Sequence, residues 1–147
     1  MTSASIVELM IRDHTKILKL LHDVEISTRT GIEIVSLMMV FDTFQWELEK
    51  HIFTEEKAIF SSYNPKDIMK GYKMVPELIQ QHNDILNRIR VMRKDLMWNR
   101  PVQFDEFKEF IVAHKTFEEV SLYPKLDQEL TDPQKQEIIK KINEIVG

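Results

Sequence analysis

Apolar residues recur at alternating steps of three and four along four long segments of the 147-residue chain, a spacing that places them on one face of an α-helix. Helix A is expected to begin after Ser3, a suitable N-cap, and helix B to span about residues 32–60. Helix C is expected to begin at Pro76, which suits a first helical position. Helix D should follow the break at residues 99–101 and bend or end at Pro124, because proline cannot donate to the helical hydrogen-bond ladder.

The connections between these helices are short. Residues 61–67, with the sequence SSYNPKD, indicate a turn between helices B and C. The last segment predicts a fifth, shorter helix, with Asp132 as its N-cap and Pro133 at its first helical position. Since short connections place successive helices side by side, the chain predicts an all-α fold: an antiparallel up-down-up-down four-helix bundle with an additional short C-terminal helix.

Composition and charge restrict the class of protein. With 43% hydrophobic and 30% charged residues, the chain has the composition of one globular domain, expected to span residues 1–147. A net charge of -4 argues against nucleic acid as a partner. The longest apolar stretch, residues 34–41, is too short to span a membrane, and no secretory signal is visible, so the expected location is the cytoplasm. The absence of cysteine means that any metal must be held by His, Asp or Glu.

The histidines fall where apolar residues are expected. His14, His51, His82 and His114 each lie within the apolar stripe of a different helix, so that all four should point into the bundle. The fifth histidine, His22, lies eight residues after His14 and about 80° around helix A, and is assigned to the surface.

Two of these histidines are followed by a glutamate one helical turn later. The pairs are His51 with Glu55 and His114 with Glu118, and residues four apart share a helical face. One such pair is little better than chance, but here a longer pattern repeats. A second glutamate follows each pair directly, and an aromatic residue lies nine positions after each histidine; these residues are Glu56, Glu119, Phe60 and Tyr123. The chain is therefore interpreted as two helical hairpins of the same design.

Burying a carboxylate in an apolar bundle costs several kcal/mol unless an opposite charge compensates it. A pair of metal cations would supply that compensation. Imidazole and carboxylate together suit iron, manganese or zinc, and helix bundles can hold two metals between facing helices.

The ordered set of a His in helix A, His-x-x-x-Glu in helix B, a His in helix C and His-x-x-x-Glu in helix D resembles the hemerythrin-like family, in its branch of HHE cation-binding domains. The resemblance covers helices A to D. It implies a centre of two iron ions, Fe2+ or Fe3+, with an oxo or hydroxo bridge. Glu55 and Glu118 would bridge the irons. His14 and His51 would bind one iron, and His82 and His114 the other.

The chain departs from the oxygen-carrying hemerythrins at their fifth histidine. The positions four residues before and after His82 are Leu78 and Leu86, and the position five after His114 is Glu119 instead of Asp. With about six positions per octahedral iron, four His, two bridging Glu and one bridging oxygen leave about two positions open. This favours redox chemistry over simple oxygen carriage. Glu56 and Glu119 themselves are expected to be solvated more often than to act as partners of ligand histidines.

The leading hypothesis is a di-iron protein that binds or reduces O2, NO or H2O2, with an electron-donor protein as a further partner. As an enzyme it would be an oxidoreductase resembling nitric oxide reductases or peroxidases. Two other classes stay open: a non-enzymatic module for oxygen binding or for iron storage, sensing or donation, and a structural bundle that holds zinc or no metal. The oligomeric state is likewise open.

Overall fold

The computed structural model describes residues 5–146, and within that range all regular secondary structure is helical. Two short π-helical segments, π1 and π2, interrupt the second and fourth long helices. The elements are α1 (Ile6–Arg29), α2 (Ile34–Thr54), π1 (Glu55–Phe60), α3 (Ser61–Lys70), α4 (Met74–Met97), α5 (Phe104–Phe117), π2 (Glu118–Leu122), α6 (Tyr123–Glu129) and α7 (Asp132–Val146).

Four long helical stretches form the predicted antiparallel bundle. Helix α1 packs against α2 and α5, and α4 packs against α2 and α5, which closes a ring of four. Helix α7 covers π1 and touches α1 and α2. The expected all-α bundle with a short C-terminal helix is therefore confirmed. None of the helices among residues 5–146 combines the length and apolarity that a membrane span requires.

The core consists of two apolar clusters at different heights in the bundle. The first joins the start of α1 and α4 to π1, α6 and α7, and includes Ile59, Tyr63, Leu78, Leu122 and Ile138. The second lies between the remaining turns of α1, α2, α4 and α5, and includes Phe41, Phe44, Ile89, Phe107 and Ile111. The four stripe histidines lie between the two clusters along their helices.

The predicted turn at residues 61–67 is wrong, because this segment continues the second helix as α3. The helix ends at Lys70, and its C-cap is Gly71, whose φ of 74° is a left-handed conformation that glycine adopts without strain. Tyr63, inside the segment, is fully buried and donates a hydrogen bond to Glu129 at 2.6 Å. Tertiary packing thus overrides the local turn preference of the sequence.

Several predicted helix ends differ in the structure. Helix α4 begins at Met74, two residues before Pro76. Pro124 does not end the fourth stretch: it is the second residue of α6, which follows π2 directly, and the helix runs on to Glu129. A proline is tolerated there because the hydrogen-bond register changes from i+5 to i+4 at that point.

Two helix caps also differ from the predictions. Ser3 lies outside the described residues, and Ser5 caps α1 by accepting from the Glu8 amide at 3.1 Å. Asp132 is the first residue of α7 and not its cap. The cap is Thr131: its hydroxyl accepts from the Gln134 amide while the Gln134 side chain accepts from the Thr131 amide, a reciprocal capping box.

A buried carboxylate at the end of α3 fixes the start of α4. Asp67 is fully buried, and its two oxygens accept from the amides of Met74 and Val75, each at 3.0 Å. These amides belong to the first turn of α4, which has no helical partners for them. Asp67 therefore closes the α3–α4 corner and sets the direction in which α4 enters the bundle.

We expect Asp67→Ala to lower the free energy of unfolding by about 2 kcal/mol, because two buried amides lose their acceptors. Urea unfolding followed by circular dichroism measures the change. The matched control is Asp105→Ala, which removes an exposed carboxylate from the first turn of α5 and should cost at most about 0.5 kcal/mol. Equal losses in the two variants would contradict the capping role of Asp67.

Candidate metal centre

The six predicted site residues meet at one place between the two apolar clusters. Each is nearly or fully buried, from 0% exposed for Glu55, His82 and Glu118 to 9% for His114. They form two overlapping groups whose ligand atoms all lie within 4.8 Å of one another. Position 1 is defined by His14 and His51, position 2 is defined by His82 and His114, and Glu55 and Glu118 belong to both.

Both glutamates reach from one position to the other. The Oε1 atom of Glu118 lies 3.1 Å from His14 Nε2 and 3.2 Å from His114 Nε2. For Glu55, Oε1 lies 2.9 Å from His82 Nε2 and Oε2 lies 3.8 Å from His51 Nε2. A carboxylate that faces imidazoles of both positions has the placement of a bridging ligand.

The inward-facing atoms are poorly satisfied by hydrogen bonds. Among the residues that the structure describes, four such buried atoms have no hydrogen-bond partner: His51 Nε2, Glu55 Oε1, His82 Nε2 and Glu118 Oε2. His82 Nε2 and Glu55 Oε1 approach closely, yet without the alignment of a hydrogen bond. Leaving one such group unsatisfied costs about 1–3 kcal/mol. Electron-pair donors that crowd together and point at a common centre fit a metal ion.

The electrostatics of the site shift the pKa values of the two shared carboxylates in opposite directions. Burial raises the pKa of Glu118 well above its usual range, and the neighbouring charge of Glu55 raises it further. The pKa of Glu55 is well below its usual range: burial opposes ionisation, but contacts with Glu118 and His82 outweigh it. Burial also acts against a charged His82, yet Glu55 and Glu56 raise the pKa of His82 to about 9.

The other two pKa shifts in the cluster follow from burial. Burial lowers the pKa of His114 to about 3, and the other histidines lower it while Glu55 acts against them. Burial and the neighbouring His51 likewise lower the pKa of His14. The two shared glutamates therefore differ: the pKa of Glu55 is lowered beside His82, and the pKa of Glu118 is raised.

Each bridging-type glutamate is the first residue of a π-helical segment. Glu55 opens π1 and Glu118 opens π2. In an α-helix the next residue points about 100° away, but the wider π turn allows Glu56 and Glu119 to turn toward the site as well. Such single-turn π segments often occur at functional sites. The repeat of His-x-x-x-Glu-Glu with an aromatic residue was the sequence signal for this geometry, although it does not identify a π-helix by itself.

Each of the four histidines donates a hydrogen bond from Nδ1–H to an oxygen of a different side chain. The contacts are His14 to Glu119 at 2.9 Å, His51 to Asp13 at 3.1 Å, His82 to Glu56 at 3.0 Å and His114 to Gln81 at 2.7 Å. Since these oxygens can only accept, each contact fixes Nδ1 as the protonated nitrogen and directs Nε2 inward.

This arrangement corrects the expectation that Glu56 and Glu119 are solvated. Their side chains are only 33% and 23% exposed, and both are partners of site histidines. Asp13 and Gln81 were missed by sequence reasoning. The available signal was position, since each directly precedes the first histidine of its hairpin. The remaining histidine, His22, is exposed as expected.

The repeated aromatic residues lie against the site, one in each half. Phe60 stacks on His82, with ring centroids 5.4 Å apart, and Tyr123 stacks on His14 at 6.0 Å. The two differ in one group: the Tyr123 hydroxyl donates to Glu55 Oε2 at 2.8 Å. It also lies 3.4 Å from His14 Nε2. Tyr123 is therefore a site residue that the sequence showed only as part of the repeat.

A small cavity of about 20 Å³ lies on the side of the site that faces the second apolar cluster. Its walls are His14, His51, His114, the stem of Lys115 and five aliphatic residues: Ile17, Leu48, Ile52, Ile85 and Ile111. A cavity of this volume holds about one water-sized molecule. Apart from the imidazoles and Lys115, these walls are apolar.

We expect Glu118→Gln to change the free energy of unfolding of the metal-free protein by no more than about 0.5 kcal/mol, because the raised pKa of Glu118 favours the neutral carboxyl, which Gln matches in shape. Glu55→Gln should instead lower it by about 2 kcal/mol, because the carboxylate that accepts from Tyr123 and lies beside His82 becomes a neutral amide. Urea unfolding in the presence of a chelator measures both. Equal destabilisation by the two substitutions would contradict the unequal ionisation of the pair.

Comparison with known proteins agrees with the site. The family model described as "Hemerythrin HHE cation binding domain" matches residues 5–126, a range that contains all six site residues, their four Nδ1 partners and both π-helical segments. The comparisons with curated proteins and with solved structures find no match. Because the family model covers most of the chain, from α1 into α6, this protein belongs to the hemerythrin HHE cation-binding family.

Proposed function

We propose that this protein is a non-haem di-iron protein that binds or reduces a small ligand (O2, NO or H2O2) at a carboxylate-bridged centre. The observation that carries the proposal is the convergence of four inward-facing imidazoles and two shared carboxylates in two overlapping buried groups. His14 and His51 would hold one iron and His82 and His114 the other, with Glu55 and Glu118 between them. Mixed nitrogen and oxygen donors of this kind suit iron.

The cavity beside the histidines favours a centre that is open to a ligand, in preference to a closed structural zinc site. Each position has two imidazoles and two shared carboxylates, which is enough for tetrahedral zinc. Structural zinc sites, however, are closed. Here about 20 Å³ of space adjoins His14, His51 and His114, where an additional ligand can reach the centre.

The walls of the cavity favour an apolar diatomic ligand. Five of its residues are aliphatic, and hydrogen peroxide would lose most of its hydrogen bonds to water there, at a cost of about 1–3 kcal/mol for each unpaired group. O2 and NO make no such demand. Within the proposed set of ligands, the cavity therefore supports O2 or NO ahead of H2O2.

Burial also bears on the non-enzymatic alternative. All six site residues are at most 9% exposed, so that releasing iron would require the helices to separate. This supports ligand chemistry over iron storage or donation. Bound irons would supply redox and Lewis-acid chemistry. The chain supplies imidazoles whose Nε2 atoms point in fixed directions. It also supplies the Tyr123 hydroxyl, which donates to Glu55, and apolar walls that limit water.

We expect the protein reconstituted anaerobically with Fe2+ to hold about two iron ions per chain, as in other two-metal bundles. Glu55→Ala combined with Glu118→Ala should hold almost none, because both shared carboxylates are lost. Elemental analysis after desalting measures the iron. The matched control is Glu49→Ala with Glu109→Ala, which removes two exposed glutamates and should leave the iron content unchanged. Retention of iron by the Glu55/Glu118 variant would refute the proposed site.

The cavity provides a second test. Ile111→Phe fills it and should slow association of NO with the iron-loaded protein by roughly tenfold or more, since a methylene-scale misfit in a pocket is worth about 1–3 kcal/mol. Stopped-flow absorption measures the rate. Ile89→Phe is the control, because Ile89 is equally buried in the same cluster but does not line the cavity. If both variants bound NO at the wild-type rate, ligand access through this cavity would be excluded.

Spectra of the iron-loaded protein distinguish carriage from catalysis. A reversible spectral change under O2, with no net consumption, favours carriage or sensing. Repeated turnover of NO or peroxide with a chemical electron donor favours catalysis. The proposed open positions predict that NO perturbs the spectrum of the reduced protein in either case.

A further inference from the structure

The two halves of the site repeat each other with one difference in the groups that support the histidines. Glu119 supports His14 and Glu56 supports His82, so these two contacts are chemically alike. The other two contacts are not alike. His51 donates to the carboxylate of Asp13, whereas His114 donates to the neutral amide oxygen of Gln81.

This difference falls on opposite sides of the centre. At position 1, both His14 and His51 donate to carboxylates. At position 2, His82 donates to a carboxylate and His114 to an amide. A charged acceptor draws more strongly on Nδ1–H and thereby raises the electron density at Nε2, which makes the imidazole a stronger metal ligand. The shorter contact of Gln81, 2.7 Å against 3.1 Å for Asp13, does not supply the missing charge.

Two nearby contacts act in the opposite direction and are weaker. The Lys115 ammonium lies 3.5 Å from Glu119 Oε2 and draws charge from that carboxylate, but this contact is longer than the 3.1 Å between Asp13 and His51. The Tyr123 hydroxyl donates to Glu55. Its acceptor, Oε2, is the oxygen that faces His51 of position 1. The hydroxyl is neutral, however, and draws less charge from position 1 than the Asp13 carboxylate supplies to it.

We propose that the two metal positions are inequivalent, and that position 1 binds a divalent cation more tightly than position 2 because Asp13 supports His51 with a charge that Gln81 cannot give His114. The proposal rests on the proposed two-metal centre. Asp13 and Gln81 are positioning residues, which act through the histidines they hold. Position 1 fills first, and position 2 exchanges its metal more readily.

The test is a titration of the metal-free, full-length protein with Zn2+, followed by nitrogen-15 NMR of the four assigned histidine side chains. In the wild type, the Nε2 signals of His14 and His51 should shift before those of His82 and His114. The apparent affinities should differ roughly tenfold, the scale of such outer contacts.

Exchange of the two supporting groups gives matched variants that keep side-chain size. Asp13→Asn should bring the two affinities to within about twofold of each other, by lowering that of position 1. Gln81→Glu should do the same by raising that of position 2. The double variant, Asp13→Asn with Gln81→Glu, should reverse the order of filling, and Asp13→Glu should retain the wild-type order.

Simultaneous filling of both pairs in the wild type would overturn the proposal without the need for any variant. An unchanged order in the double variant, with its fold verified by circular dichroism, would overturn it as well. Failure of the proposed function has a different signature. In that case the wild type would bind no iron, whatever the order in which Zn2+ fills the two histidine pairs.

Discussion

The fold is organised around one electrostatic constraint: two carboxylates and four imidazoles are buried together inside an otherwise apolar helix bundle. Without a cation, the cluster relieves this constraint only in part. The pKa of Glu55 is lowered beside His82, the pKa of Glu118 is raised, and several inward atoms have no hydrogen-bond partner among the described residues. The outer contacts at Nδ1 orient all four imidazoles with Nε2 toward the centre. Replacing such a cluster with apolar residues would often stabilise a protein. Its presence is therefore better explained by metal binding than by stability.

The same local arrangement of residues occurs in both halves of the site. A long helix carries a histidine, a glutamate follows one turn later, and a π-helical segment begins at that glutamate. The segment directs two consecutive carboxylates at the site: one lies between the metal positions, and the other supports a histidine of the opposite hairpin. Glu56 reaches from π1 to His82 on α4, and Glu119 reaches from π2 to His14 on α1. The two hairpins are thus joined through the site as well as through apolar contacts.

Much of the fold could be predicted from the sequence because it follows from periodicity. The apolar stripes indicate the four helices, and the histidines on those stripes must point inward. What could not be predicted depends on partners far along the chain. The segment at 61–67 has the composition of a turn, and only its packing and the bond from Tyr63 to Glu129 keep it helical. Asp67 is of a residue type that is common in turns, and its role depends on the hydrogen bond that it accepts from the start of α4. Asp13 and Gln81 look like ordinary surface polar residues, because their partners are 38 and 33 residues away.

The two apolar clusters explain how such a polar site can be formed in advance of its metal. In small metal-dependent domains the cation supplies the folding energy, and its removal unfolds the chain. Here the clusters on both sides of the site contain 30 buried hydrophobic residues and hold all four long helical stretches. The bundle therefore has its own source of stability, and the energy of metal binding need not be spent on folding it. A preformed site also retains the cavity beside its histidines, because the helices that line the cavity are fixed by packing above and below it. The same packing that tolerates the buried charges therefore preserves the space in which a small ligand could meet the metals.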